Sequence, residues 1–275
     1  MPWQPPVCAA VDNSGPQIYS SLPMTRPRWT GRLWLGTGRA LYVGPVFDTT
    51  EHAHHALQLC IALEGPLALG GARRAGPDPY EAALVPADHP HRIRAAGSIV
   101  ALLYVEPESA AGRHLVSLLD GPEILDLGER AGHLRAAIAR PTSAHEVPES
   151  EARADALLKA LVGPTPKPPV LDPRVDESLC VLHSARGDYP TSAALARRFR
   201  CSPERFRHLF RAQTGIGYRS YLLWLRLGAA AGEISRGPSM TEAAHAAGFA
   251  DSAHLTRTFR RMFGIAPSQA PPFAV

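Results

Sequence analysis

Cysteine is scarce in this sequence, and the little there is does not pair up. The four thiols, Cys8, Cys60, Cys180 and Cys201, include no CxxC and no close spacing. That excludes a disulfide framework or a zinc ribbon as the organising principle and suits a reducing compartment. Long apolar runs are missing too: none approaches the ~20 residues that a membrane span requires. The opening stretch MPWQPPVCAAVDNSG has no basic segment followed by an apolar one, so it is not read as a secretory signal. The expectation is a soluble, cytoplasmic protein with no membrane partner. Lysine is absent from residues 171–275, yet that segment carries 14 arginines against 8 acidic residues, a net +6. The first 170 residues hold 15 basic and 17 acidic side chains. A basic region built on arginine alone, beside a slightly acidic one, points to a polyanionic partner for the C-terminal part.

With 275 residues and 45% hydrophobic content, the chain has enough apolar material for two domains. The segment GPTPKPPVLDP at 163–173 contains five prolines, which break helix and strand patterns alike. Residues 163–172 are therefore assigned to an extended linker. Ahead of it, residues 29–106 alternate short apolar runs with Gly and Pro, the pattern of a sandwich or barrel, preceded by an extension over 1–28. Residues 107–162 change to helical periodicity in three short pieces. Residues 173–275 read as helical throughout, beginning with Asp172 as N-cap and Pro173 at the first helical position.

The C-terminal part repeats itself. At an offset of 49, CSPERFRHLFRAQTGIGY lies over ADSAHLTRTFRRMFGIAP, pairing Phe206 with Leu255, Phe210 with Phe259, and Gly215 with Gly264. Ser202 and Asp251 are good N-cap residues, and the two glycines suit left-handed C-caps. Each copy follows a shorter Ala-rich helix, which makes two helix-turn-helix units. Phe206, Leu209 and Phe210 should point inward in the first unit, and Leu255, Phe259 and Met262 in the second. Glu204, Arg205, Arg207, His208 and Arg211 are left outside on one, Ser252, Ala253, His254, Thr256, Arg257 and Arg261 on the other. Arginine pairs bidentately with guanine, threonine touches a thymine methyl, and further arginines meet phosphate. Between the units, a helix of about 17 residues would be ~26 Å long. Successive major grooves on one face of DNA lie ~34 Å apart, so one such helix can hold both units against a single duplex.

On these motifs, GFADSAHLTRTFRRMFGIAPS above all, residues 173–268 resemble the DNA-binding domain of the AraC/XylS family of transcription regulators. The resemblance implies base-facing positions at Glu204, Arg207, His208, Ser252, His254, Thr256 and Arg257. It also implies double-stranded DNA, a small-molecule effector, RNA polymerase and a second copy of the chain as partners. Gly228 and Gly232 interrupt the connecting helix, each costing about 1 kcal/mol relative to Ala. The ending QAPPFAV departs from the family's aromatic–arginine pair, which predicts a frayed last turn.

Such regulators often carry a cupin-like barrel that binds an effector. The overall expectation is an α+β fold: an N-terminal antiparallel β-barrel with trailing helices, then an all-α domain with two helix-turn-helix units. The cupin metal pattern is H-x-H, an acid, then Gly, followed later by P-x-G-x-x-H. Here it appears as His52, His54, Gln58, Gly65 and then Pro86 to His91, with Gln58 in place of the acid and Asp88 in place of a glycine. His52, His54, Gln58 and His91 are thus the candidates for an effector site or, as the alternative, for a divalent metal. No other cofactor and no catalytic residue is expected. The competing reading is a metal-dependent cupin enzyme fused to a DNA-binding module. Leu115, Leu118 and Leu119, with Leu157, Leu158 and Leu161, are candidates for a dimerisation stripe or, alternatively, for the core of the chain itself.

Overall fold

The run IVALLYV at 99–105 is apolar at every position, and that determines its surroundings. Strand side chains alternate between two faces, so a run without a polar break must be covered on both sides. The structure is a computed structural model that describes residues 28–71, 78–139, 147–163, 169–185, 187–237, 239–271 and 273–274. In it Val100 and Leu102 join one hydrophobic cluster, while Ala101, Leu103 and Val105 join another.

The strands are β1 (Arg32–Gly36), β2 (Arg39–Pro45), β3 (Leu57–Glu64), β4 (Ala68–Gly70), β5 (Asp78–Pro79), β6 (Ala82–Val85), β7 (Arg92–Arg94), β8 (Ile99–Val105), β9 (Leu125–Asp126) and β10 (Phe273–Ala274). Seven form one sheet in the order β10-β1-β2-β8-β3-β6-β9, and β5-β4-β7 form a second. Every pairing is antiparallel except that of β10 with β1. The expected barrel thus takes the form of two sheets whose ladders do not close on each other among the described residues. A lone bridge, His52 to His91, leads into β7.

The helices α1 (Ala110–Val116), α2 (Ala131–Ala139) and α3 (Val147–Val162) cover one face of the large sheet. Leu115, Leu157, Leu158 and Leu161 are buried there against Leu57, Leu59 and Leu103, with Leu118 and Leu119 partly buried beside them. This corrects the dimerisation stripe: these leucines are used within the chain, closing the face that β3 and β8 leave apolar.

The remaining helices are α4 (Pro173–Ser184), α5 (Ser192–Arg198), α6 (Pro203–Thr214), α7 (Tyr218–Ser235), α8 (Met240–Ala246) and α9 (Ser252–Phe263). Asp172 caps α4 by accepting from the Arg174 backbone N–H at 3.0 Å. The helices do not share one core. Val175, Leu179 and Leu182 of α4, Leu195 of α5, Phe206 and Phe210 of α6, and Tyr218 and Tyr221 of α7 make a separate cluster. Leu227 and Ala230 of α7, Ala244 of α8, and Leu255, Phe259 and Met262 of α9 instead join Tyr42, Val85, Val100 and Leu102 of the sheet. The second helix-turn-helix unit is therefore packed on the sheet domain, and the first on α4. The frayed last turn is also corrected: Phe273–Ala274 return to the sheet and pair with Leu33 and Trp34.

Candidate nucleic-acid interface and interdomain site

Both α6 and α9 are bounded by the caps their sequences carry. Ser202 Oγ accepts from the Arg205 N–H at 3.2 Å, and Asp251 Oδ1 from the His254 N–H at 2.6 Å. Gly215 (φ +84°) and Gly264 (φ +69°) end them in the left-handed region, where a side chain is disfavoured. Phe206 and Phe210, and likewise Leu255, Phe259 and Met262, are buried, and Leu209 is half-buried. Glu204, Arg205, Arg207, His208 and Arg211 are exposed, as are Ala253, Arg257 and Arg261. Ser252, His254 and Thr256 are half-buried, with the His254 ring against the edge of Phe249. Every predicted contact residue thus has its side chain at or near the surface. At 18 residues α7 is ~27 Å long, close to the length expected from sequence.

The C-cap of α9 touches the other domain. Thr50 donates to the Gly264 carbonyl through both its backbone N–H and its hydroxyl, each at 3.0 Å. A Cβ at position 264 would lie 2.5 Å from the Thr50 carbonyl and 2.7 Å from His52 Nδ1. The preceding residue, Phe263, packs its ring beside His54, Tyr104 and Trp224. The second reading helix therefore ends on the histidine cluster.

That cluster is tightly organised. Nδ1 of His52, His54 and His91 lies 2.9, 3.1 and 2.8 Å from the backbone carbonyls of Thr50, Ala56 and His89. A carbonyl only accepts, which assigns the proton to Nδ1 and leaves Nε2 as an open lone pair. One nitrogen from each ring lies within 4.8 Å of the others. Burial, with the neighbouring His54, holds His52 down to about 3. Burial likewise lowers His54, and burial with the nearby His52 and His54 lowers His91. Each of these shifts favours the neutral imidazole, the form that metal ligation requires. Gln58 Oε1 lies 2.9 Å from Nε2 of both His54 and His91, and Gln58 Nε2 is buried without a partner. Two arrangements satisfy this set. With the amide turned over, its NH₂ donates to both imidazoles; as it stands, a divalent cation supplies the missing positive charge. The donors fit such an ion: the imidazoles would hold it and Gln58 would add a neutral oxygen. Asp88, at the motif's glycine position, adopts φ +57°, a conformation that Asp tolerates better than most residues. Its N–H donates to the His54 carbonyl at 2.8 Å.

A cavity of about 400 Å³ lies between the domains. Leu33, Tyr42 and Tyr104 line it from the sheet, and Trp224, Leu227, Phe259 and Phe263 from the helices. Of the four predicted effector or metal residues only His52 reaches it, so the histidine cluster forms one end of the cavity rather than its wall. Glu106 and His183 supply further polar lining. Sequence reading missed this cavity, because its walls come from β1, β2, β8, α4, α7 and α9, and no local spacing announces them.

Residues 195–270 match a family of helix-turn-helix domains. They form an AraC-type DNA-binding domain. Its two units are the repeats described above. No curated protein matches the chain. Beyond the AraC-type domain, the chain is similar in structure to ToxT from Vibrio cholerae O395, at 12% identity and a TM-score of 0.55, covering 85% of this chain and 97% of that one. It is also similar to wild-type ToxT from Vibrio cholerae strain SCE256 with an unsaturated fatty acid bound, at 12% identity and a TM-score of 0.52, covering 85% and 95%. An AraC-type regulator from Chromobacterium violaceum is 24% identical over 34% of this chain and 86% of its own, with a TM-score of 0.33. At such identities the likeness to ToxT is one of fold: a sheet-containing N-terminal domain ahead of an AraC-type helical one. No helix among the described residues is long and apolar enough to cross a membrane.

Proposed function

We propose that this chain is a transcription regulator that reads DNA through α6 and α9 and holds a small, largely apolar effector in the cavity between its domains. The observation that carries the reading is the double origin of the cavity wall. A molecule lodged there touches Tyr104 of the sheet together with Phe259 and Phe263 of the second reading helix. A volume of about 400 Å³ suits a ligand of drug-like size. The fatty acid bound in ToxT supports an apolar effector. We read the histidine cluster as part of the sensing apparatus rather than a catalytic centre, because Gln58 gives the set no carboxylate to act as base or anionic ligand. Self-association and contact with RNA polymerase belong to the same reading, and light scattering of free and DNA-bound chain tests the first.

Thermal melting with and without an unsaturated fatty acid tests the effector site, since a ligand of the folded state raises the midpoint by mass action. Gly228 lines the cavity, and a Cβ there would meet nothing within 4 Å. Gly228 is exposed at the edge of the cavity, so Gly228→Leu should narrow its mouth without loss of folding and weaken the shift. A shift that survives Gly228→Leu unchanged, or none with any apolar ligand, sinks the cavity as the effector site.

A further inference from the structure

Glu106 and Glu108 follow directly on β8, and His183 sits in the last turn of α4 in the helical domain. One carboxylate oxygen from each glutamate and one His183 nitrogen lie within 4.8 Å of one another. We propose that these three residues form a divalent-metal site that clasps the sheet domain to the helical domain, separate from the histidine cluster.

Geometry is the first support. Glu106 Oε2 and His183 Nε2 are 3.3 Å apart. Two ligands at about 2.0–2.1 Å from a tetrahedral ion are separated by roughly that distance. Trp224 Nε1 donates to Glu106 Oε1 at 2.9 Å, so one oxygen is fixed by a partner and the other faces His183, whose Nε2 also lies 3.1 Å from the Tyr221 hydroxyl, a group that would turn away when the nitrogen takes a metal. On Glu108, Oε2 takes His55 Nε2 at 3.1 Å. Its other oxygen, Oε1, is buried with no hydrogen-bond partner, on a side chain only 3% exposed. An oriented carboxylate with one free buried oxygen is what a ligand held by outer partners looks like.

Charge is the second support. Glu106 and Glu108 are both buried, and the imidazole beside Glu108, His55, is shared with Asp88 at 3.2 Å. Three carboxylates, Glu106, Glu108 and Asp88, share two imidazoles, His55 and His183, so negative charge is left over even with both rings protonated, which is costly in a poorly solvated site. A divalent ion offsets it. Two carboxylates and one imidazole suit zinc, manganese or iron better than calcium, which takes 6–8 oxygens. Glu106 and His183 both line the interdomain cavity, which provides the way in.

The competing occupant is a proton shared by the two carboxyl groups. The full chain, stripped of metal by a chelator, is titrated with Zn²⁺ by calorimetry and compared with Glu108→Gln and His183→Gln. Circular dichroism in chelator confirms that the variants fold, and His183, 28% exposed, is the gentler of the two positions. Each variant should lose one equivalent of zinc, or weaken it by more than the roughly 10–100-fold expected for a residue that only supports a ligand. His52→Ala should leave that equivalent in place, which separates this site from the histidine cluster. Zinc stoichiometry and affinity unchanged in both Glu108→Gln and His183→Gln would overturn the proposal in favour of the proton. Loss of the same equivalent in His52→Ala would overturn it in favour of a single site at the histidines.

Discussion

The two helix-turn-helix units share a pattern but not a setting. The first closes its own core with α4, through Phe206, Phe210 and Tyr221. The second places Leu255, Phe259 and Met262 in a core that belongs equally to the sheet, and its C-cap rests on Thr50 and His52. A repeat in sequence thus becomes one unit whose core excludes the sheet and one whose core includes it. Anything that alters the sheet domain reaches α9 directly and α6 only through α4 and α7, the latter packing its first turns with one core and its later turns with the other.

Core truncation should expose the difference most strongly. Phe206→Ala and Phe259→Ala should each cost about 3–5 kcal/mol. By hydrogen exchange, Phe206→Ala should loosen α4, α5, α6 and the first turns of α7, whereas Phe259→Ala should loosen α8 and α9 together with β7 and β8. Wild-type protection of those strands in Phe259→Ala breaks the comparison. The C-caps come next. Gly215→Ala meets open space and should cost only the left-handed penalty of about 1–2 kcal/mol. Gly264→Ala adds a collision with Thr50 and His52, and should cost about 2–4 kcal/mol in urea denaturation. Equal costs would mean that the cap does not bear on the sheet domain.

DNA contacts sharpen the comparison further. Arg207→Ala and Arg257→Ala should each cost about 1–3 kcal/mol on a specific duplex by fluorescence anisotropy and relax discrimination at one base position. Equal losses on specific and random DNA would contradict base reading. Arg211→Ala and Arg261→Ala should weaken all sequences alike and lower the salt slope by about 1. An apolar effector should change the cost of Arg257→Ala more than that of Arg207→Ala. The smallest effects belong to the N-caps: Ser202→Ala and Asp251→Ala should each lower stability by about 1 kcal/mol in thermal melts.

Much of this was legible from residues alone. The offset-49 repeat located both reading helices, their caps and their buried faces, since capping and 3.6-residue periodicity are local properties. Spacing placed His52, His54, Gln58 and His91 in one motif, and their side chains lie side by side in the structure. Asp88 looked like a departure from its motif, but its φ of +57° keeps the turn that the glycine would have made. What stayed hidden depends on partners. The stripe Leu255, Phe259, Met262 reads the same whether it packs on a helix or a sheet, and so does the leucine stripe of α3. Periodicity says which face is buried, never against what. Glu106, Glu108 and His183 carry no common motif, because they meet only when β8 and α4 do.

The seat of Gly264 against His52 has a thermodynamic consequence. If an occupant of the histidine cluster or the adjoining cavity changes the affinity of α9 for DNA, then DNA changes the affinity for that occupant by the same factor. A tenfold effect in one direction, about 1.4 kcal/mol, is a tenfold effect in the other. A glycine that ends a helix is in this chain also the place where two binding equilibria would exchange free energy.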